Sequence, residues 1–239
     1  MAQGKNNEMI EQNQMAEMMR GFFMDRMQQE KAKKLKTYSM LNQYATKGQI
    51  LFVGSSLMEG FPIKEMQLNL EIDRIIYNRG VGGTTTAELL AAMNECIFDL
   101  EPSKMFINIG SNDIGSADGN GYNKENLIAN YNEIMDRIKK RLPECEVYVM
   151  AYYPINAKAN FGLDKFIKDG MFATRTNANI IEANKAVEEL AEKYGFNYIN
   201  VNEGLTDEDG NLKEEYSIEG LHLWPNAYSV ILENMKKYL

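Results

Sequence analysis

From residue 49 to residue 239, apolar residues come in short uninterrupted runs separated by stretches of helical spacing. Residues 49–53 (QILFV), 74–78 (RIIYN), 104–109 (KMFINI), 147–152 (VYVMAY) and 197–201 (NYINV) are rich in Ile, Val, Tyr and Phe and predict five strands. Thr85-Thr86-Ala87-Glu88 is a Thr-x-x-Glu capping box that opens a predicted helix over residues 86–98. Residues 122–141 predict a helix that stops at Pro143, and residues 174–194 one that stops at Gly195. Pro225 suits the first turn of a last helix reaching Tyr238. Apolar strands alternating with helices imply a parallel sheet covered on both faces.

The first 48 residues follow another pattern. Met15, Met18, Met19, Phe22, Phe23 and Met27 fall on one face of a helix. The basic run from Lys31 to Lys36 interrupts that stripe, after which Leu35, Tyr38, Leu41 and Tyr44 predict a second helix ending near Gly48. Residues 1–48 are therefore expected to be a helical extension packed on a domain formed by residues 49–239. A homodimer interface through these helices is the next reading, because Met-rich faces adapt to partners. A membrane-surface helix ranks third, since Glu11, Glu17, Asp25 and Glu30 share the polar face.

Composition narrows the function. The 239 residues are 44% hydrophobic and 25% charged, the balance of a folded globular chain. A net charge of −8 argues against nucleic acid as a partner. No apolar run approaches the ~18 residues of a membrane span, and the polar N-terminus lacks a signal-peptide core, so a cytoplasmic protein is expected. Cys96 and Cys145 are isolated and read as buried thiols in a reducing compartment. The single histidine, His222, excludes a multi-histidine metal site within one chain. Asp207, Asp209 and Asn211 resemble part of a calcium loop, but Gly210 and a missing spaced Glu depart from it, and a solvated turn is expected. Neither metal nor cofactor is expected.

The candidate chemistry comes from the rule that ligands bind outside the carboxyl ends of the strands of an open parallel sheet. Gly54-Ser55-Ser56 follows the first predicted strand, and Asn78-Arg79-Gly80-Val81-Gly82-Gly83-Thr84 the second. Gly110-Ser111-Asn112-Asp113 follows the third, and the stretch after the fifth ends Glu219-Gly220-Leu221-His222. Taken singly, each reads as turn chemistry or a structural histidine. Together they supply a nucleophile, backbone donors, an amide donor and a base at one edge, the parts of an acyl-transfer site. The glycine run fits neither a dinucleotide fingerprint nor a Walker loop.

These four segments resemble, in order, the signature blocks of the SGNH hydrolases, the GDSL esterase/lipase family. The likeness runs from Gln49 to Leu239 and has the flavour of the platelet-activating-factor acetylhydrolase-like and sugar O-acetyl esterases. It implies a three-layer α/β/α, flavodoxin-like sandwich with a five-stranded parallel sheet. It implies Ser56 as nucleophile, His222 as general base, and an oxyanion hole made by the Ser56 and Gly83 backbone N–H groups and the Asn112 side-chain amide. The substrate would be a small-molecule ester with a short acyl group, acetyl being favoured. An acyltransferase using the same site, or a binding module with a weakened triad, are the alternatives.

Two positions depart from the family pattern. Ser55 stands where the family name motif has Asp, and Glu219 where the histidine-orienting Asp is usual. Three roles are open for Glu219: third triad member, which is favoured; bystander to a Ser–His dyad oriented by a backbone carbonyl; or mark of a dead site. Asp113 is expected to anchor the Asn112 loop, and Thr84 and Thr85 to cap a helix. Arg79 reads as a surface salt bridge with anion binding as its alternative. Trp224, Tyr152, Tyr153 and Pro154 are candidates for the cleft wall, and residues 155–174 for a functional loop with its own helix.

Overall fold

The computed structural model describes residues 2–116 and 121–239, with the side chains of residues 2–17, 19, 20 and 23 outside the described set. The chain opens with one long helix, α1 (Ala2–Asn42). Strand β1 (Ile50–Gly54) follows, then two single turns, α2 (Ser56–Glu59) and α3 (Ile63–Met66), and strand β2 (Ile76–Gly80). Next come α4 (Thr86–Ala91), α5 (Met93–Cys96), strand β3 (Lys104–Asn108), α6 (Ser111–Ile114) and α7 (Lys124–Arg141). The chain ends with β4 (Glu146–Met150), α8 (Lys165–Phe172), α9 (Asn177–Tyr194), β5 (Asn197–Ile199) and α10 (Pro225–Met235).

All five strands pair in parallel in the order β2-β1-β3-β4-β5, with helices on both sides. Every residue of β1 is buried, as a central strand covered on two faces requires. Helix α7 packs against both α4 and α9. Helix α10 packs with the α2 region, where the Phe61 and Tyr228 rings lie 4.7 Å apart and the Tyr228 hydroxyl donates to Leu57 O. Among the described residues no helix is long and apolar enough to cross a membrane.

The N-terminal segment differs from the two helices expected. It is a single helix through the basic run, because Lys, Ala and Leu are good helix formers and interrupt only the apolar stripe. Its buried side holds Leu35, Tyr38 and Asn42, whereas Leu41 and Tyr44 are exposed. Met18 and Phe22 are exposed too, and the stripe members Met15, Met19 and Phe23 lie outside the described side chains. Tyr38 Oη donates to Gly80 O at the end of edge strand β2 (2.7 Å), and Asn42 Nδ2 to Glu95 O on α5 (2.8 Å).

The helix expected over residues 86–98 breaks at Ala92, which leaves helical geometry at φ −113°, ψ 18°. Leu90 O, just before the break, accepts from Arg137 Nη1 at 3.5 Å, and Glu95 O, in the last turn of α5, accepts from Asn42. Strand β2 lies two residues later than expected, so Asn78, Arg79 and Gly80 belong to the sheet rather than to the turn after it.

Candidate active site

Strands β1 and β3 are neighbours whose following connections diverge, and their carboxyl ends carry Ser56 and Asn112. Ser55 is extended (φ −95°, ψ −150°), and the chain turns at once into α2, with Glu59 N–H donating to Ser55 O at 2.8 Å. Ser56 is the first helical residue, so its own N–H has no intrahelical acceptor. The Ser55 hydroxyl makes no capping bond and is buried without a partner among the described residues.

His222 arrives on a tight turn. Ile218 N–H donates to His222 O (2.8 Å), Ser217 bridges Leu223, and the Ser217 hydroxyl accepts from Gly220 N–H (2.6 Å). The turn puts Glu219 beneath the imidazole. Glu219 Oε1 accepts a very short hydrogen bond from His222 Nδ1 and a longer one from His222 N–H at 3.3 Å. A carboxylate oxygen only accepts, so Nδ1 carries the proton and Nε2 presents its lone pair. Ser56 Oγ lies 2.9 Å from Nε2 and donates to it. The structure thus brings Ser56, His222 and Glu219 into one hydrogen-bonded line.

The glycine loop comes next. Gly82 N–H donates to Glu59 Oε2, and Gly83 turns the chain at φ +71°, a conformation that favours glycine. Gly83 O accepts from Lys31 Nζ of α1 at 2.8 Å, and the same ammonium reaches both oxygens of Glu88 at 2.8 Å. Glu88 closes the capping box with Thr85, as expected. Burial pushes the Glu88 carboxyl up, but hydrogen bonds from Lys31, Gln28 and the Thr85 N–H outweigh it and hold its pKa below the usual range. Glu59 Oε1 in turn pairs with Lys34 at 2.7 Å.

Asn112 sits in α6. Its Nδ2 donates to Thr84 O at 3.0 Å, and its Oδ1 accepts from Arg175 Nη2 at 3.3 Å. An amide nitrogen carries two hydrogens, and the bond to Thr84 uses one. Asp113 ties α6 to α4, as expected, by accepting from the Thr86 N–H (3.0 Å) and hydroxyl (2.5 Å).

Other sequence candidates fall elsewhere. Arg79 is neither a surface ion pair nor open to an anion: it is buried beneath α1. Its guanidinium donates to Asn42 Oδ1 (3.0 and 2.9 Å) and lies 4.8 Å from the Tyr38 ring centroid. Tyr152, Tyr153 and Pro154 are buried rather than on a cleft wall, and the Tyr152 hydroxyl donates to Ile109 O at 2.8 Å. Trp224 is half exposed at the start of α10. Residues 155–174 contain the short helix α8. Asp207 Oδ1 accepts from the Asp209 and Asn211 N–H groups, which makes that stretch a side-chain-closed turn.

Residues 52–230 match the GDSL-like Lipase/Acylhydrolase family. The chain belongs to that family. Among solved structures, this GDSL-like acylhydrolase superposes on a platelet-activating-factor-like protein from Streptococcus pneumonia with a TM-score of 0.81 and 28% identity, covering 92% of this chain and 98% of the other. A GDSL-like lipase from Bacteroides thetaiotaomicron aligns at TM-score 0.66 and 20% identity, covering 85% and 96%. An acetyl xylan esterase aligns at TM-score 0.64 and 15% identity, covering 80% and 99%. A curated relative, an N-acylneuraminate cytidylyltransferase of Escherichia coli O18:K1:H7 (strain RS218 / NMEC), is 25% identical over 194 residues, 81% of this chain. The chain spans about two-fifths of that relative's length.

Two residues with clear positions in this acylhydrolase site were not singled out from the sequence. Ser217 pins the histidine turn through its hydroxyl. Arg175 reaches Asn112 from the loop before α9. Arg175 lies between α8 and α9 rather than after a strand, and Ser217, on the stretch after β5 that carries His222, carries no pattern that sets it apart from a turn serine.

Proposed function

We propose that the protein is a serine esterase acting on a small or short-chain acyl ester, acetyl above all, of a polar alcohol. The observation that carries this reading is the line Ser56 Oγ to His222 Nε2 (2.9 Å), continued from His222 Nδ1 to Glu219. His222 takes the Ser56 proton as Oγ attacks the carbonyl carbon, and Glu219 stabilises the imidazolium that results. The tetrahedral oxyanion is received by the Ser56 and Gly83 N–H groups and by Asn112 Nδ2, each such donor contributing ~3–4 kcal/mol in the transition state. Gly83 is preferred to Gly82 because the Gly82 N–H is already committed to Glu59. His222 then protonates the leaving alkoxide, and water repeats the sequence to free the acid.

A cavity of about 430 Å³ lies beside the glycine loop, where Met27, Val81 and Gly82 line it together with Arg26, Glu30, Lys31, Lys34 and Glu59. The acetyl xylan esterases among the structural neighbours support the acetyl preference. A cytoplasmic setting is part of this reading, since Cys96 and Cys145 are isolated in the sequence. A fluorophosphonate probe tests the nucleophile: one adduct on Ser56, absent in Ser56→Ala along with hydrolysis of aryl acetate, is expected. Hydrolysis retained by purified Ser56→Ala would sink the assignment.

A further inference from the structure

Arg175 is 5% exposed, and all three guanidinium nitrogens are engaged. Nε donates to Ser111 O (3.1 Å), Nη1 to Met171 O (3.1 Å) and Nη2 to Asn112 Oδ1 (3.3 Å). Gly115 makes the space, since a Cβ there would run into the guanidinium. Burial pushes the Arg175 pKa down to about 10, and the nearby Glu219 charge works against that shift. One buried cation therefore holds the Asn112 amide and feels the charge of the carboxylate beneath His222.

The Asn112 amide has two ends of nearly equal size and opposite hydrogen-bond character. A guanidinium only donates and a carbonyl only accepts. With Oδ1 toward Arg175 and Nδ2 toward Thr84 O, both contacts are satisfied. Rotated by a half-turn, Nδ2 would face a donor and Oδ1 a carbonyl, and both contacts would be lost. That rotation would also turn an acceptor toward a developing oxyanion.

We propose that Arg175 is a positioning residue whose guanidinium locks the Asn112 side-chain amide with Nδ2 toward the oxyanion. This rests on Asn112 being an oxyanion donor, as read above. Loss of one such donor costs about 10²- to 10³-fold in kcat. Arg175→Met, which releases the amide without removing it, is expected to lower kcat by about 10- to 100-fold with KM within about threefold.

The test is a double-mutant cycle with Asn112→Ala on an aryl acetate. Arg175→Met is expected to add nothing in the Asn112→Ala background, because the group it acts through is gone. An equal loss in both backgrounds overturns the proposal, as does wild-type kcat in Arg175→Met. Arg175→Lys keeps the charge but has one nitrogen where the guanidinium spreads three over separate acceptors, and is expected to resemble Arg175→Met. Full recovery by Lys would assign the effect to charge near Glu219 and overturn the amide lock. If Arg175→Met does not fold, Gly115→Ala decides: it crowds the guanidinium and should lower kcat without raising KM, whereas unchanged kcat overturns the proposal. Full activity in Asn112→Ala alone would instead remove the oxyanion reading on which the proposal stands.

Discussion

Glu219 stands where a shorter Asp is usual, and its extra methylene is absorbed by the geometry of the turn. Three residues before His222, it reaches back so that Oε1 meets both the ring Nδ1 and the backbone N–H of the same residue. Glu219→Gln keeps an oxygen for both donors and removes only the charge that balances the imidazolium. It is expected to lower kcat by about 10²- to 10⁴-fold, the upper end being the loss when a serine-protease triad is left without its carboxylate. A loss below about tenfold would instead assign catalysis to a Ser56–His222 dyad. Ser56, Gly83, Asn112 and His222 were legible in the sequence because each sits on a segment next after a strand, where a rule of sheet topology points. Arg175 was not, because it lies between α8 and α9, and Ser217 was not, because a serine in the stretch it shares with His222 reads as ordinary turn chemistry. Arg79 was misread for a related reason: pattern places it at a strand end but does not show that α1 lies over it.

At the scale of elements, docking of α1 turns on Arg79, a buried arginine whose hydrogen bonds among the described residues go to neutral oxygens. Arg79 is held by Asn42 Oδ1, its neighbour's carbonyl and the ring of Tyr38, while Asn42 Nδ2 satisfies Glu95 O at the broken turn of α5. Burial lowers the Arg79 pKa, and the same burial makes its bonds costly to lose. Asn42→Ala removes the acceptor of two guanidinium bonds and should destabilise by about 2–3 kcal/mol, the range for hydrogen bonds to a charged group left buried. A urea titration reads this as a lower midpoint; an unchanged midpoint would mean the Arg79 cluster does not carry the docking. The ends of α7 and α9 and the start of α10 were legible because Pro143, Gly195 and Pro225 mark them. The break at Ala92 was not, because it carries no Gly or Pro.

For the molecule as a whole, the family match covers residues 52–230, while α1 lies before it and yet touches the loop beside the nucleophile. The sheet fixes where β1 and β3 end, and hence the backbone around Ser56 and Asn112. It does not fix the glycine loop to the same degree, because that loop leaves edge strand β2, which has a neighbour on one side only. What holds the loop comes from outside the sheet: Tyr38 on Gly80 O, Lys31 on Gly83 O, and Glu59, itself paired to Lys34, on the Gly82 N–H. Lys31 is the tightest of the two lysine ties, its side chain 12% exposed against 38% for Lys34. An exposed pair such as Lys34–Glu59 is worth under about 1 kcal/mol, whereas Lys31 joins the loop carbonyl to the capping carboxylate of α4. If the Gly83 N–H is an oxyanion donor, freeing its carbonyl lets the peptide plane on the far side of Gly83 drift, and displacements near 1 Å cost up to about 10²-fold. Lys31→Met is therefore expected to lower kcat by about tenfold or more while the midpoint of thermal unfolding falls by only a few degrees. Lys36→Met, on the exposed side of the same helix, serves as the control. Equal kcat for the two variants would mean that the sheet alone positions the oxyanion loop and that α1 only covers it.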